Sequence, residues 1–448
     1  MNFAQFKEIV VAKAQAMGIA DYELYYQAEE STSVSAFQHE INQFTASLEG
    51  GVCFRCSVGG KMGYASTEAM CEAEAEAIVE RAAENASVLE ADEPVFLGEG
   101  GKTYAAVEDK SYPLPSTEEL IAKVLSTQEA IYQADPAVVD GSTTQGISQR
   151  SSIAIVNSKG LDLSTEIAMS GLVVAAVVQQ GQEKANDYQI KLGQLDTLDS
   201  EALTKKAAQT ALGKLGGEVA PTGQYPVIFD SEAMSDLLRT FSSIFSSEAA
   251  QKGLSKLAGK EGEVIASQVV TVVDDPFHPE SPMPMAFDAE GSPTFQKNII
   301  EKGVLGTLLY NLKTAAVAGK ETTGNASKAG YDAPVGIRPF TMYLEGGDLT
   351  PEQLLEKAGN GVYINSLGGL HAGANPVTGD FSLQSAGFMI ENGKKTTAVK
   401  SFTVAGNFYS LLQNIVAVAN NSHLPTAMGM TAFGAPDTLV EGLSVAGK

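Results

Sequence analysis

Basic residues are scarce in this chain of 448 residues, which has 30 lysines and arginines against 54 aspartates and glutamates. The formal net charge of -24 at pH 7 would repel nucleic acid from most of the surface. The longest basic runs are the pairs Lys205-Lys206 and Lys394-Lys395. The composition therefore argues against DNA or RNA binding, and the acidity favours solubility.

Cysteine is also scarce, and Cys53, Cys56 and Cys71 are an odd number. This argues against a disulfide framework and for a reducing compartment. Cys53 and Cys56 form a C-x-x-C motif, but it lies in the alternating run GVCFRCSV, which predicts a strand, whereas a redox C-x-x-C normally opens a helix. A four-thiolate zinc site would need a second pair. We therefore interpret the three cysteines as structural.

Long hydrophobic runs are absent, and no stretch of about 18 apolar residues is available to span a membrane. The opening MNFAQFKEIVVAKAQAMG predicts an amphipathic helix without the basic start and unbroken apolar core of a signal peptide. We therefore expect a cytoplasmic protein that does not bind membranes.

Several common catalytic signals are missing as well. There is no G-x-S-x-G elbow, and EGGKT at 99–103 lacks the first glycine of a phosphate-binding loop. The four histidines are His39, His278, His371 and His423, and no two of them have the i, i+4 spacing of zinc ligands on a helix.

The length predicts two or three domains. Residues 1–220 alternate helical and strand-like patterns, with a capping box at Ser116 and Glu119. They predict an α+β domain with an antiparallel sheet. Residues 221–448 predict a mainly-β domain, with helices at 230–250, 351–358 and 407–420.

The stretch FDSEAMSDLL at 229–238 follows the strand-like run YPVIF and opens a helix. Its apolar residues form one stripe, with Asp230 or Ser231 as the N-cap. Glu232 and Asp236 are four residues apart and share the opposite face. By itself this pattern is typical of two carboxylates on a solvated helix face, near the positive end of the helix dipole.

The segments around this helix resemble the TldD/PmbA family, whose members are also labelled modulators of DNA gyrase. The matching blocks follow one another in the family's order: VVTVVDDP at 269–276, FDAEGSPTFQKNIIEKGVLGTLLYN at 287–311, GNASKAG at 324–330, NPVTGDFSLQSAGFMIENGK at 375–394 and VAGNFYSLLQNIVAVAN at 404–420. The resemblance implies a barrel-like C-terminal domain that carries a degenerate metallopeptidase site.

In the TldD branch this helix carries H-E-x-x-x-H, and a later cysteine completes a zinc site in which the glutamate acts as general base. The matching residues here retain Glu232, but Ser231 and Asp236 replace the two histidines. The position of the late cysteine falls around Met428 to Met430, and no cysteine follows Cys71. The resemblance therefore implies the PmbA branch, also called TldE, with no metal in this chain.

That branch implies a function as the non-metal subunit of a cytosolic metallopeptidase acting on unfolded peptides. We expect zinc only in a TldD-like partner, with which this chain forms a heterodimer, or else a homodimer. Two alternatives remain open. The chain could be a self-sufficient peptidase whose unrecognised metal site combines His278, His371 or His423 with Glu232 or Asp236, although two carboxylates alone are too few for Mg²⁺ or Ca²⁺. It could also regulate DNA gyrase by protein contact.

The glycine-rich loop GGLHAGANPVTGDFS could line a peptide cleft, because glycines permit close approach of another backbone and a following strand offers main-chain hydrogen bonds. A tight loop at a barrel corner would explain the same glycines. The candidate cleft residues are Gly368, Gly369, His371, Thr378, Gly379 and Asp380.

Overall fold

The computed structural model describes residues 1–90, 94, 96–107, 113–281, 283–428 and 431–447. Within these described residues, the N-terminal part contains four α-helices and six strands. The helices are α1 (Phe3–Ala16), α2 (Glu72–Ser87), α3 (Thr117–Ala134) and α4 (Ser200–Gly213). The strands are β1 (Asp21–Phe37), β2 (Glu40–Val58), β3 (Lys61–Thr67), β4 (Thr143–Asn157), β5 (Asp162–Gln180) and β6 (Glu183–Gly193).

These six strands form one antiparallel sheet in the order β3-β2-β1-β4-β5-β6. Residues alternate between its two faces. On one face, α1 and α2 cover the half that includes Leu24 and Phe54. Helices α3 and α4 cover the half that includes Leu172 and Val174. The predicted capping box of α3 is confirmed, since Ser116 and Glu119 cap each other's backbone.

The described portion of the C-terminal part contains six further α-helices. They are α5 (Ser231–Phe241), α6 (Ser247–Gln251), α7 (Leu312–Ala318), α8 (Pro351–Ala358), α9 (Leu370–Gly373) and α10 (Phe408–Gln413). Its strands are β7 (Glu218–Val219), β8 (Gly223–Phe229), β9 (Val272–Asp274), β10 (Lys297–Glu301), β11 (Val304–Leu305), β12 (Ala326–Ser327), β13 (Gly336–Ile337), β14 (Thr341–Leu344), β15 (Gly361–Gly368), β16 (Asp380–Glu391), β17 (Lys394–Asn407), β18 (Ile415–Val418), β19 (His423–Met428), β20 (Thr431–Ala435) and β21 (Thr438–Ala446).

Five of these strands close a barrel in the order β21-β8-β15-β16-β17, because β17 also pairs with β21. A second sheet has the order β11-β10-β9-β14-β20-β19. The core includes Phe241 of α5, whose ring stacks on that of Phe408 with centroids 4.6 Å apart. The predicted α+β class, with an antiparallel N-terminal sheet and a C-terminal barrel, is confirmed.

Two helix predictions were too long. The pattern at 230–250 forms α5, a 3₁₀ turn at Ser242–Phe245 and then α6. The pattern at 407–420 forms only α10, because residues 415–418 leave the helix as β18 and pair with β21. Tertiary pairing overrides the apolar spacing there.

The two parts of the chain meet in a shared apolar cluster. Met169 and Ile167 of β5 pack with Met285, Phe287 and Phe340 from the C-terminal part. Among the described residues, no helix is long and apolar enough to cross a membrane.

Buried charges lie at the same junction. Arg55 of β2 binds Glu23 of β1 at 2.8 Å, and both side chains are almost fully buried. Glu290 lies nearby and accepts the backbone N–H of Leu312 at 2.8 Å. Burial raises the pKa of Glu290, and the neighbouring Asp288 raises it further. Glu290 therefore bonds to the start of α7 and interacts by charge with Arg55 of the N-terminal sheet.

Candidate functional site

Helix α5 begins where barrel strand β8 ends. Asp230 is the N-cap, and its carboxylate accepts the backbone N–H of Ala233 at 2.8 Å. The predicted apolar stripe is buried, including Met234, Leu237 and Phe241. The helix also packs against β20 and β19, the strands next to the predicted position of the late cysteine. Of that position, Met428 ends β19, and 429–430 lie outside the described residues.

Ser231 is buried at the first turn of α5. Its backbone N–H donates to Asp437 Oδ1 at 3.0 Å, and its Oγ lies 3.0 Å from Nδ1 of His423. The side chain of Ser231 therefore forms a contact within the protein. The structure also brings one of the candidate histidines, His423, to this helix.

The two carboxylates of the helix are each paired with a cation. Glu232 lies 3.2 Å from Nζ of Lys206 on α4, and Asp236 lies 2.8 Å from the guanidinium of Arg239 one turn later. Burial raises the pKa of Asp236, while the positive charge of Arg239 opposes that rise. The carboxylate face of α5 is therefore partly exposed to solvent and carries two ion pairs.

Asp437 links the start of α5 to the barrel. Besides Ser231, it accepts hydrogen bonds from the Tyr363 hydroxyl at 3.0 Å and from the Asn421 amide at 2.9 Å. Desolvation raises the pKa of Asp230 to about 7, and the neighbouring carboxylates of Glu232 and Asp437 add to this rise. The N-terminus of α5 is thus held by two acids in a largely buried setting.

A cleft of about 430 Å³ opens beside this helix. It arises because β8 pairs with β15 only as far as Ile364, whereas β15 continues to Gly368. Its lining combines the charged face of α5, the end of β15 and part of β6: Glu232, Ser235, Asp236, Arg239, Asn365, Ser366, Leu367, Gly368, Tyr188, Gln189 and Ile190. Within the described chain, the buried Oδ1 of Asn365 has no hydrogen-bond partner.

The predicted loop residues divide into two groups. Gly368 lines the cleft, and Gly369 follows it in the left-handed conformation that starts α9, which includes His371. Thr378, Gly379 and Asp380 form a turn and are not among the residues that line the cleft.

That turn is held by side chains from two other elements. The Thr378 carbonyl accepts from Lys256 at 2.8 Å and from Asn407 at 2.9 Å, and Asp380 accepts from Asn407 at 2.7 Å. Gly379 has a positive φ of 83° and lies against the Tyr409 ring, so a Cβ would clash there.

Three domain models of the PmbA/TldA metallopeptidases match this chain. Domain 1 matches residues 22–86, the central domain matches 110–215, and the C-terminal domain matches 222–447. The chain belongs to the PmbA/TldD family. The family predicted from the sequence blocks is therefore confirmed, and the models divide the part before residue 222 into two.

Similar proteins cover between about three quarters and nearly all of the chain. A protein named metalloprotease from Methanothermobacter thermautotrophicus is 28% identical over 337 residues, or 74% of this chain and 73% of that one. A structure from Thermotoga maritima, described as a modulator of a DNA gyrase, has a TM-score of 0.90 and 31% identity, and the match covers 99% of this chain and 100% of that one. TldE from Thermococcus kodakarensis has a TM-score of 0.87 and 25% identity, over 98% of this chain and 99% of that one.

The residues at the family's motif positions do not fit zinc, which prefers imidazole and thiolate ligands in a tetrahedral set. Ser231 offers a neutral hydroxyl that contacts His423, and the carboxylates of Glu232 and Asp236 are paired with cations. In the part of the chain that the structure describes, no three His, Cys, Asp or Glu side chains are grouped to hold a metal ion.

The other candidate histidines have contacts of their own. Nδ1 of His278 accepts the backbone N–H of Glu280 at 3.2 Å, and its ring lies against Tyr343. His371 lies on α9 and is absent from the residues that line the cleft.

Sequence reasoning missed the partners that define this site in the PmbA/TldD fold. Lys206 precedes Glu232 by 26 residues, and Asp437 follows Ser231 by 206 residues. No local pattern indicates either contact. Of these partners, Arg239 is the one that the sequence could have indicated, because its spacing of three residues from Asp236 suits an ion pair on a helix.

Proposed function

We propose that this chain is the non-metal subunit of a TldD/TldE-type peptidase of the cytoplasm. A zinc-bearing TldD-like subunit would supply the catalytic centre, and this chain would help to enclose the chamber where unfolded peptides are cut. The proposal rests on which residues occupy the family's three motif positions and on the contacts that they make. Ser231, Glu232 and Asp236 lack zinc-preferring groups, and each has a protein partner.

The cleft beside α5 supports a peptide-binding role. The end of β15, from Ser366 to Gly368, pairs with β16 on one side, while β8 has already ended on the other. An extended peptide could add there as a strand and gain main-chain hydrogen bonds without sequence preference. The side-chain oxygen Oδ1 of Asn365, which has no partner in the described chain, would accept one further N–H from that peptide.

The other glycine-rich residues would then have a supporting role. Gly369 and His371 start the short helix after the cleft, while Thr378, Gly379 and Asp380 fix the turn that leads into β16. We propose the cytoplasm because Cys53, Cys56 and Cys71 are free thiols, which suit a reducing compartment.

Reconstitution tests this function. The purified chain is mixed with a zinc-bearing TldD-type subunit, and cleavage of a fluorescein-labelled unstructured peptide is followed. We expect cleavage by the mixture, loss of cleavage with a zinc chelator, and none from this chain alone. Cleavage by this chain alone at the rate of the mixture would refute the proposal.

The contact between His423 and Ser231 favours a second candidate, a self-sufficient peptidase. Of the three candidate histidines, His423 is the one for which the described chain shows a side-chain contact with α5. If it bound a metal with groups from α5, His423→Ala would abolish a chelator-sensitive cleavage by the isolated chain. The first proposal predicts that the isolated chain shows no such cleavage, so that His423→Ala has nothing to remove.

Regulation of DNA gyrase is a third candidate, suggested by the description of the Thermotoga maritima relative. The net charge of -24 disfavours DNA contact but permits protein contact. A gyrase supercoiling assay with and without the chain decides it, because an unchanged supercoiling rate would exclude direct regulation.

A further inference from the structure

Another cavity, of about 380 Å³, lies where the two parts of the chain meet. Strands β2 and β3 contribute to it from the N-terminal part, and α6 and α7 contribute from the C-terminal part. Among the described residues, its lining shares no member with that of the cleft beside α5. We call it the junction pocket, and its lining includes Arg55, Met62, Lys252, Glu290, Lys313 and Val317.

A buried carboxyl group lines this pocket. Glu290 is only 2% exposed, and the described chain gives its side chain one hydrogen bond, from the backbone N–H of Leu312 to Oε2. The other oxygen, Oε1, has no hydrogen-bond partner in that part of the chain. Because a buried polar group without a partner costs free energy, Oε1 is a ready acceptor for a donor group of a ligand.

The charges around Glu290 favour a cationic donor. Arg55 also lines the pocket, but its guanidinium already binds Glu23 at 2.8 Å and the Phe96 carbonyl at 3.2 Å. Burial raises the pKa of Glu290, and the carboxylates of Asp288 and Glu23 raise it further, while Arg55 opposes the rise. An ammonium group beside Oε1 would favour the ionised carboxylate and pair with it.

Exposed lysines contribute the opposite charge to the same pocket. Lys252 and Lys313 both line it, and both are exposed, whereas Glu290 is buried. The ammonium of Lys252 lies 2.6 Å from Glu248, and this lysine side chain is 62% exposed. Such an exposed pair contributes little, so Lys252 can also bind a ligand carboxylate. The pocket therefore has an acid at its buried end and bases at its exposed end.

Apolar side chains complete the wall. Met62 is buried, whereas Val317 is 69% exposed, so a ligand that covered Val317 would remove apolar surface from water. The volume lies near the lower end of the range for ligand pockets, about 300–1,000 Å³, which suits a small molecule.

We propose that the junction pocket binds a small zwitterion with an apolar side chain, a free amino acid or a dipeptide. Its ammonium group would pair with Glu290, its carboxylate would lie at Lys252, and its side chain would contact Met62 and Val317. The net charge of -24 would repel a simple carboxylate, whereas a zwitterion has no net charge to be repelled.

Amino acids and dipeptides are products of peptide hydrolysis. The pocket would therefore hold a product of the proposed peptidase, and this link rests on the proposed function. The binding itself is a property of the isolated chain. It is measured without a partner subunit and without cleavage, so its failure would leave the proposed function untouched.

Isothermal titration calorimetry on the full-length chain tests the proposal, with L-leucine and leucyl-leucine as probes. We expect at least one of them to bind. Blocking its ammonium by N-acetylation should weaken binding at least about tenfold, because a buried charged hydrogen bond is lost. Converting its carboxylate to an amide should weaken binding less, about threefold, because Lys252 is exposed. This series uses the wild-type chain and does not depend on the folding of any variant.

Substitutions identify the two ends of the pocket. Glu290→Gln keeps an acceptor for the Leu312 N–H and should weaken binding at least about tenfold, whereas Glu263→Gln, at an exposed carboxylate outside the pocket, should not. Lys252→Gln should weaken binding about threefold, and the exposed Lys260→Gln is its control. Thermal melts confirm that the variants are folded.

Three results would overturn the proposal. They are no binding of either probe, unchanged affinity in a folded Glu290→Gln variant, and binding of the N-acetylated probe as tight as that of the free one. The last result would indicate a pocket for carboxylates instead.

Discussion

Glu232 on the candidate-site helix forms a salt bridge with Lys206 of α4, with 3.2 Å between the carboxylate and the ammonium. In the TldD branch, the glutamate at this position would act on metal-bound water. Here it ties the C-terminal barrel to a helix of the N-terminal part. Because both side chains are substantially exposed, the pair adds less than about 1 kcal/mol to stability.

Replacing Glu232 by glutamine should therefore leave peptide cleavage by the assembled complex unchanged. The amide keeps the size of the side chain and removes only its charge and basicity. Cleavage rates of complexes that carry Glu232→Gln or the exposed α4 substitution Glu201→Gln should match the wild type. A large loss in the Glu232 variant alone, with assembly intact, would restore a catalytic role.

The raised pKa of Asp230 predicts a pH-dependent stability. Asp230 binds its proton near pH 7 in the folded chain but near pH 4 when unfolded, so between these values the folded state holds more protons. Stability should therefore fall as pH rises from about 4 to about 7, by at most about 1.4 kcal/mol per pH unit.

The variant Asp230→Asn measures this contribution, because asparagine also caps helices well. Its melting temperature should fall less than that of the wild type over the same pH range. The matched control is Asp199→Asn at the exposed N-cap of α4, which should follow the wild type. Equal pH dependence in all three proteins would show that Asp230 does not titrate in this range.

Asp437 should be important for stability, because it accepts three hydrogen bonds around the start of α5. Asp437→Ala would leave the Tyr363 hydroxyl and the Ser231 N–H unpaired in a buried place, at a cost of about 3 kcal/mol or more. Glu441→Ala, at an exposed position of β21, the strand that directly follows Asp437, is the control. Urea unfolding that gave similar midpoints for both variants would disprove the link.

Arg55 should contribute more than an ordinary surface arginine. Its removal would leave Glu23 buried without its cation and would remove a positive charge near Glu290, which predicts a loss of about 3–5 kcal/mol. Arg81→Ala breaks the more exposed pair with Glu74 and should cost less than about 1 kcal/mol. Equal losses in denaturant titrations would mean that the buried Arg55 pair contributes no more than the exposed Arg81 pair.

Local patterns predicted the parts of this fold that local chemistry controls. The start of α5 and its buried stripe followed from an N-cap and a repeat of 3.6 residues, and the ordered blocks indicated the barrel through the family. The helix predicted over 407–420 was wrong beyond Gln413, because Ile415 pairs with Val440 on a strand that no local pattern reveals.

The partners of the charged side chains at the candidate site could not be predicted for the same reason. A helix face with Glu232 and Asp236 looks solvated in the sequence, and only the fold shows that Lys206 reaches it. The contact of His423 with Ser231 likewise joins residues 192 positions apart.

The most direct test of the proposed role is the metal content of the purified, untagged chain after zinc supplementation, measured by mass spectrometry. We predict almost no zinc per chain, because Ser231, Glu232 and Asp236 do not provide a tetrahedral site. A content of about one zinc per chain would contradict this and would favour a metal site that includes His423.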